Sequence, residues 1–227
     1  MVTGAAGRIG SAVRAALADR WDLVPVDLRE AAGVRQVDVT DGAACRAAFA
    51  DADAVVHLAA MPDPEAGWDD LLPANLVAPY QVVAAAVDCG VRRLVLASSL
   101  HAVSAYPEGR QRRAADIPRP ANLYGATKAW AEALGAALAA TSSMSVVALR
   151  IGYFTDVRPR DGAQPPGECA AWLSPRDASD LIRAAVESPD VDGFIVVNGT
   201  SMNRYLVADL TDALALGYQP RDDAWAE

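Results

Sequence analysis

Three evenly spaced glycines, Gly4, Gly7 and Gly10, stand between a short apolar start and a run in which Ile9, Val13 and Leu17 recur every four residues. That repeat draws one apolar face along a helix, so the glycines sit in a strand-to-helix turn. Glycines there allow a tight turn, a close backbone approach to a pyrophosphate, and close packing of helix on strand. An anion at the turn would meet free amides and the positive end of the helix dipole. In Thr3-Gly4-Ala5-Ala6-Gly7-Arg8-Ile9-Gly10, the candidate dinucleotide contacts are Gly4, Ala6, Gly7, Arg8, Ile9 and Gly10. The plainer reading is an ordinary glycine turn, so the context matters.

The context is a steady alternation of strand and helix signals. Leu23-Val24-Pro25-Val26 reads as a second strand ending in Asp27, 17 residues beyond Gly10. A carboxylate there would bind the adenosine ribose hydroxyls and repel a 2′-phosphate, which favours NAD; Arg8 and Arg29 keep NADP open. Pro25 is awkward, because an inner strand needs its N–H groups. The first strand has barely three residues before the glycines, so either an earlier start was missed or the strand is clipped. Val34 to Val39 is a short strand whose end, Asp38-Val39, is placed to border an adenine. Asp41 caps a helix to about Ala50. Ala54 to Leu58 is a continuous apolar strand, as expected when both faces are covered. Ala59 and Ala60 are small enough to let the dinucleotide pass, and residues 61 to 68 form a loop.

A helix from about Asp69 to Cys89 follows, irregular near Pro73 and Pro79. The strand Leu94 to Ala97 delivers Ser98 and Ser99 to its C-terminal end, where open α/β sheets bind ligands. After a long connection (100 to 121), a helix carries Tyr124 onward to about Ala140, and Val146 to Leu149 is a sixth strand. Residues 151 to 173, rich in Pro and Gly, have the composition of a functional loop or lid. A helix from Arg176 to Glu187, a strand from Phe194 to Val197 and a last helix from Leu206 to Leu216 complete the reading. The expected fold is α/β: a Rossmann-like doubly wound parallel sheet in one domain spanning 1–227. Residues 151–173 and 198–227 would add a small C-terminal substrate cap.

Charge and cysteine usage narrow the function. A net charge of −9, spread along the chain, argues against nucleic acid or an anionic membrane surface. No apolar run approaches the ~18 residues a membrane span needs, and the start shows no secretory signal. Cys45, Cys89 and Cys169 are odd in number, far apart and without CxxC spacing, which suits idle thiols in the cytoplasm. His57 and His101 are the only histidines, and neither has a metal-ligand pattern around it, so no metal site is expected.

Lys128 is the only lysine among twenty basic residues. A sequence that writes arginine everywhere else retains an ammonium here, a compact charge with a movable proton. It falls four residues after Tyr124, on the same helix face. A positive charge beside the phenol would lower the tyrosine pKa, making Tyr124 a candidate general acid/base.

The glycines, Asp27, Ser98-Ser99 and Tyr124-x-x-x-Lys128, in this order, resemble the short-chain dehydrogenase/reductase superfamily in its extended, epimerase-like branch. The resemblance implies that Tyr124 transfers the proton, that Lys128 holds the nicotinamide ribose and tunes the phenol, and that Ser99 bonds the substrate oxygen. It places Asn75 near the cofactor, with Asp38, Val39, Leu58, Ala59 and Ala60 along it. It also implies pairing into homo-oligomers through the helices flanking the site. Within the branch, Thr3–Gly10, Val56-His57-Leu58, Ala97-Ser98-Ser99-x-His101, Leu123–Lys128 and Leu149-Arg150-Ile151-Gly152 look most like uronate dehydrogenases. Those oxidise the anomeric carbon of a sugar acid with NAD. Trp172–Asp177 and Gly217–Pro220 resemble that group too.

The departures fall among the implied substrate contacts. Leu100 replaces the group's asparagine, and Tyr153 its serine, while His101 matches a residue near the sugar. The arginine that grips the uronate carboxylate has no counterpart in register, with Gly167 near its place; Arg158 and Arg160 are the candidates to replace it. The expected activity is NAD-dependent oxidation of a small molecule, a sugar acid or cyclic hemiacetal. The alternatives are a ketone reductase using NAD(P)H and a dinucleotide-binding redox sensor without catalysis.

Overall fold

A computed structural model describes residues 1–159 and 164–226 of the chain. Seven parallel strands form one sheet: β1 (Val2–Thr3), β2 (Pro25–Asp27), β3 (Arg35–Gln36), β4 (Ala54–His57), β5 (Arg93–Ser99), β6 (Ser145–Ile151) and, last in the sheet, Phe194–Gly199. A two-stranded parallel sheet pairs β7 (Tyr153–Phe154) with β8 (Trp172–Leu173), so the Phe194–Gly199 strand is β9. The strand order is β3-β2-β1-β4-β5-β6-β9. It reverses between β1 and β4, whose C-terminal ends flank the crevice of a doubly wound sheet.

Continuous apolar strands appear because helices cover both faces. Val55, Leu94, Leu96 and Val146 pack on one face with Val82, Val83 and Ala86 of α4 (Ala78–Asp88) and Phe49 of α2 (Gly42–Phe49). Their neighbours Val56, Val95, Val147 and Leu149 point the other way, toward Val13 and Leu17 of α1 (Arg8–Leu17) and Leu181 and Ile182 of α7 (Pro175–Glu187). A side-chain period of two thus divides one apolar run between two cores.

Several boundaries differ from the sequence reading. β1 is two residues long, Val2–Thr3. Pro25 opens β2 as its first residue, where a missing N–H is tolerated, and Val24 O accepts from Val2 N just outside the strand. β3 covers only Arg35–Gln36 of the expected Val34–Val39. Asp41 caps α2, accepting from Ala43 N at 2.8 Å and Ala44 N at 3.3 Å. From α3 (Trp68–Leu71) the chain passes through a π-helical stretch, Leu72–Val77, into α4. Pro73 has no N–H for regular pairing, which accounts for the expected irregularity.

This Trp68–Asp88 run is 21 residues long and apolar enough, by length and composition, to cross a membrane, although no uninterrupted apolar stretch announced it. Its apolar face packs on the sheet. Within the stretch read as one irregular loop, β7, β8 and α6 (Pro166–Ala171) are ordered elements. The last helix, α8, is Thr211–Ala215 rather than Leu206–Leu216.

Candidate active site

The crevice above the switch point is a cleft of about 1030 Å³. Gly4 has φ +68°, and a Cβ there would sit 2.5 Å from Ala59 N. Only a glycine lets the β1 turn lie against the end of β4. Gly7, Arg8, Ile9 and Gly10 line the same end of the cleft, together with Asp38, Val39, Leu58, Ala59 and Ala60. Gly4, Gly7 and Gly10 bring this turn to the cleft without side chains, which fits the close backbone approach that a dinucleotide's pyrophosphate needs.

Asp27 lies at the mouth of this region. Its Oδ2 accepts from Ala6 N at 2.9 Å, and its Oδ1 from Arg29 N at 2.9 Å. Burial alone would raise its pKa, but these backbone bonds and the Arg29 guanidinium hold it below the usual carboxylate range. It is therefore charged, as repulsion of a 2′-phosphate requires. Ala6 reaches this end through its amide. Asn75 is buried away from the cleft wall. Its Oδ1 accepts from Met61 N at 2.8 Å, and its Nδ2 donates to Met61 O and Thr127 Oγ1, each at 3.1 Å. It ties the loop after β4 to the tyrosine helix.

The second half of the cleft is built on β5 and α5 (Leu123–Ala139). β5 delivers Ser99, whose Oγ accepts from His101 N at 3.2 Å and which lines the cleft with Tyr124. Lys128 lies one turn after Tyr124, with Nζ 5.5 Å from the ring centroid, and donates to Ala97 O at 2.9 Å. Both side chains are nearly enclosed, 8% and 6% exposed. Burial lowers the Lys128 pKa to about 8. It also raises the Tyr124 pKa, with the Ser99 hydroxyl acting against it. The expected lowering of the phenol by Lys128 is therefore not what this arrangement gives: desolvation outweighs an ammonium aimed at a carbonyl. His57, behind them, bonds Thr3 Oγ1 at 2.7 Å; burial and then the Lys128 charge push its pKa to about 3 and keep it neutral.

Other contributors were not read from the sequence. Asn122 caps α5 by accepting from Gly125 N at 2.8 Å, and its Nδ2 lies 3.1 Å from His101 Nδ1. Gly125 lets the helix start against the His101 turn, since a Cβ there would meet His101 O at 2.3 Å. The His101 ring meets Tyr124 edge to face at 5.5 Å. Asparagine three residues before a helical glycine is a capping signal, but the His101 contact is purely tertiary. Beneath the site, Glu132 of α5 and Arg150 of β6 form a buried ion pair at 2.8 Å, with Ser98 Oγ donating to Glu132 at 2.6 Å. Arg150 also donates to the carbonyls of Arg113, Ala114 and Asp116.

At the substrate end, Leu100, His101, Tyr153 and Gly167 all line the cleft. Arg158 does not: it donates to Ala226 O at 3.0 Å and lies over Trp172. Arg160 lies outside the described residues. Arg112, which the sequence reading passed over, lines the cleft, as does Glu168 of α6.

Comparison with known proteins places this geometry in context. Residues 1–161 match the NAD dependent epimerase/dehydratase family. The chain is 38% identical to L-arabinose 1-dehydrogenase (NAD(P)(+)) of Haloferax volcanii, over 98% of this chain and 96% of that protein. It is 36% identical to the NAD-dependent glucose-6-phosphate dehydrogenase of the same organism, over 99% and 93%. The crystal structure of uronate dehydrogenase from Agrobacterium tumefaciens superimposes with a TM-score of 0.87 at 31% identity, covering 98% of this chain and 84% of that one.

Proposed function

The chain belongs to the NAD-dependent epimerase/dehydratase family, and we propose that it is an NAD-dependent aldose dehydrogenase acting on the anomeric hydroxyl of a cyclic sugar or sugar acid. The observation that carries this reading is that Ser99, Tyr124 and Lys128 line one cleft with the glycine cradle and Asp27, the Lys128 ammonium 5.5 Å from the Tyr124 ring. Relatives named for arabinose, a hexose phosphate and uronates share a ring with a C1 hydroxyl, which supports that common feature over any one sugar.

In this reading the glycine turn holds the pyrophosphate, Asp27 the adenosine ribose, and Lys128 the nicotinamide ribose. When bound, the nicotinamide supplies the acceptor for the hydride that leaves C1. The substrate C1–OH lies between Ser99 and Tyr124. Ser99 orients the oxygen and Tyr124 takes its proton, so that O–H and C–H bonds break while the C=O of a lactone forms. C1 gives up the hydride with both electrons of its C–H bond, and the remaining proton passes through the phenol to solvent. Leu100 and Tyr153 give the ring an apolar wall where uronate dehydrogenases are polar.

Product analysis by NMR tests the site of oxidation. Aldonolactone is expected from the free sugar and none from its methyl glycoside, which has no C1–OH. Oxidation of the glycoside would mean that a different carbon reacts.

A further inference from the structure

The connection from Ser99 to Tyr124 carries an arginine, Arg112, that faces the cleft. Arg112 is half-buried in the cleft wall. Its N–H donates to Val207 O at 2.9 Å, and its carbonyl accepts from Asp209 N at 2.7 Å and from Asn198 Nδ2 at 3.1 Å. On its far side the same segment is anchored by Arg150, through the carbonyls of Arg113, Ala114 and Asp116. The backbone that presents Arg112 is thus fixed from two directions before any substrate arrives.

Its side chain is oriented without being neutralised. One N–H donates to Arg110 O at 2.9 Å and another to Tyr106 O at 3.4 Å. A guanidinium has five N–H donors in a rigid fork, so donors remain for the cleft. Among the described residues Arg112 makes no ion pair. Eight other arginines of the described chain do engage an acid, including Arg110 with Asp116 at 2.6 Å in the same connection. A preoriented cation lining a ligand cleft, with no carboxylate of its own, suits an anionic group on the ligand. Glu168, also in the wall, supplies acceptors for sugar hydroxyls.

We propose that Arg112 is a specificity-determining residue that binds a carboxylate or phosphate carried by the aldose. This rests on the aldose dehydrogenase reading and narrows its substrate to an anionic sugar.

The test compares wild type, Arg112→Gln and Arg112→Lys on glucuronate, glucose 6-phosphate and neutral L-arabinose. The expected result is that Arg112→Gln lowers kcat/KM for an anionic sugar by roughly 10- to 150-fold, mostly through KM. The loss for arabinose should be much smaller, and Arg112→Lys should recover part of the anionic-sugar rate. Whichever of glucuronate and glucose 6-phosphate wild type prefers identifies the anion as carboxylate or phosphate. Equal losses on charged and neutral sugars, with unchanged thermal stability, would overturn the proposal while leaving the aldose reading in place. So would wild type that oxidises only arabinose. If no aldose is oxidised, the broader reading fails. Calorimetric titration of the two anionic sugars then decides the narrower one: binding lost in Arg112→Gln supports it, and no binding by wild type overturns it.

Discussion

Tyr124→Phe is expected to lower turnover by roughly 10²- to 10⁴-fold, the usual contribution of a positioned acid or base, while NAD affinity changes little. The variant keeps the ring that packs edge to face on His101 and removes only the group that exchanges the proton. Calorimetric titration with NAD beside an absorbance assay separates the two effects. Full activity would remove Tyr124 from the reaction. The wild-type pH profile carries the same assignment. Burial holds the Tyr124 pKa above its ordinary value, so at neutral pH the phenol is protonated, and oxidation, which needs a base, should quicken as pH rises. Burial brings the Lys128 pKa down to about 8, and above that pH it loses the charge with which it would hold the nicotinamide ribose. The rise should therefore flatten on the alkaline side, whereas a flat profile from neutral to alkaline pH would contradict the assignment.

The second large effect is on stability. Glu132→Ala is expected to destabilise the chain by about 3–5 kcal/mol, because it leaves Arg150 buried and unpaired. At this chain size that is a fall in Tm of roughly 6–20 °C. Glu132 is 4% exposed and Arg150 1%, so water cannot replace the lost partner. The double variant Glu132→Leu, Arg150→Met removes both charges and should cost less than the sum of the single changes. Thermal unfolding of the double variant and of its two components, Glu132→Leu and Arg150→Met, measures this directly, and additive losses would show that the two side chains act independently. Arg150 also anchors the carbonyls of Arg113, Ala114 and Asp116, so the single variants should weaken substrate binding even where they remain folded.

What was legible in the sequence was what short spacing encodes. Gly4, Gly7 and Gly10 are close along the chain, and their cradle forms from one turn and its strand. Tyr124 and Lys128 share a helix face because four residues make one turn. The two-sided sheet was legible in Ala54–Leu58, and the π-helical irregularity in Pro73. What was hidden depends on residues meeting across the fold. Arg150 pairs with Glu132 only because β6 lies beneath α5, and Arg112 faces the cleft only because its strand-like segment bridges to Ala208. The Tyr124 pKa went the other way for the same reason: helical spacing reports a neighbouring charge, whereas burial is a property of the assembled site. Asn75, read as a cofactor neighbour, has its amide engaged by Met61 and Thr127, which spacing alone does not reveal.

The most direct measurement follows nicotinamide absorbance with purified protein, first with NAD and a panel of aldoses, sugar acids and sugar phosphates, then with NADH and a panel of ketones. NADH is expected to form with at least one cyclic aldose, dependent on Tyr124, and faster than NADH is consumed with any ketone. Turnover confined to ketones, or tight NAD binding with no turnover at all, would contradict this expectation.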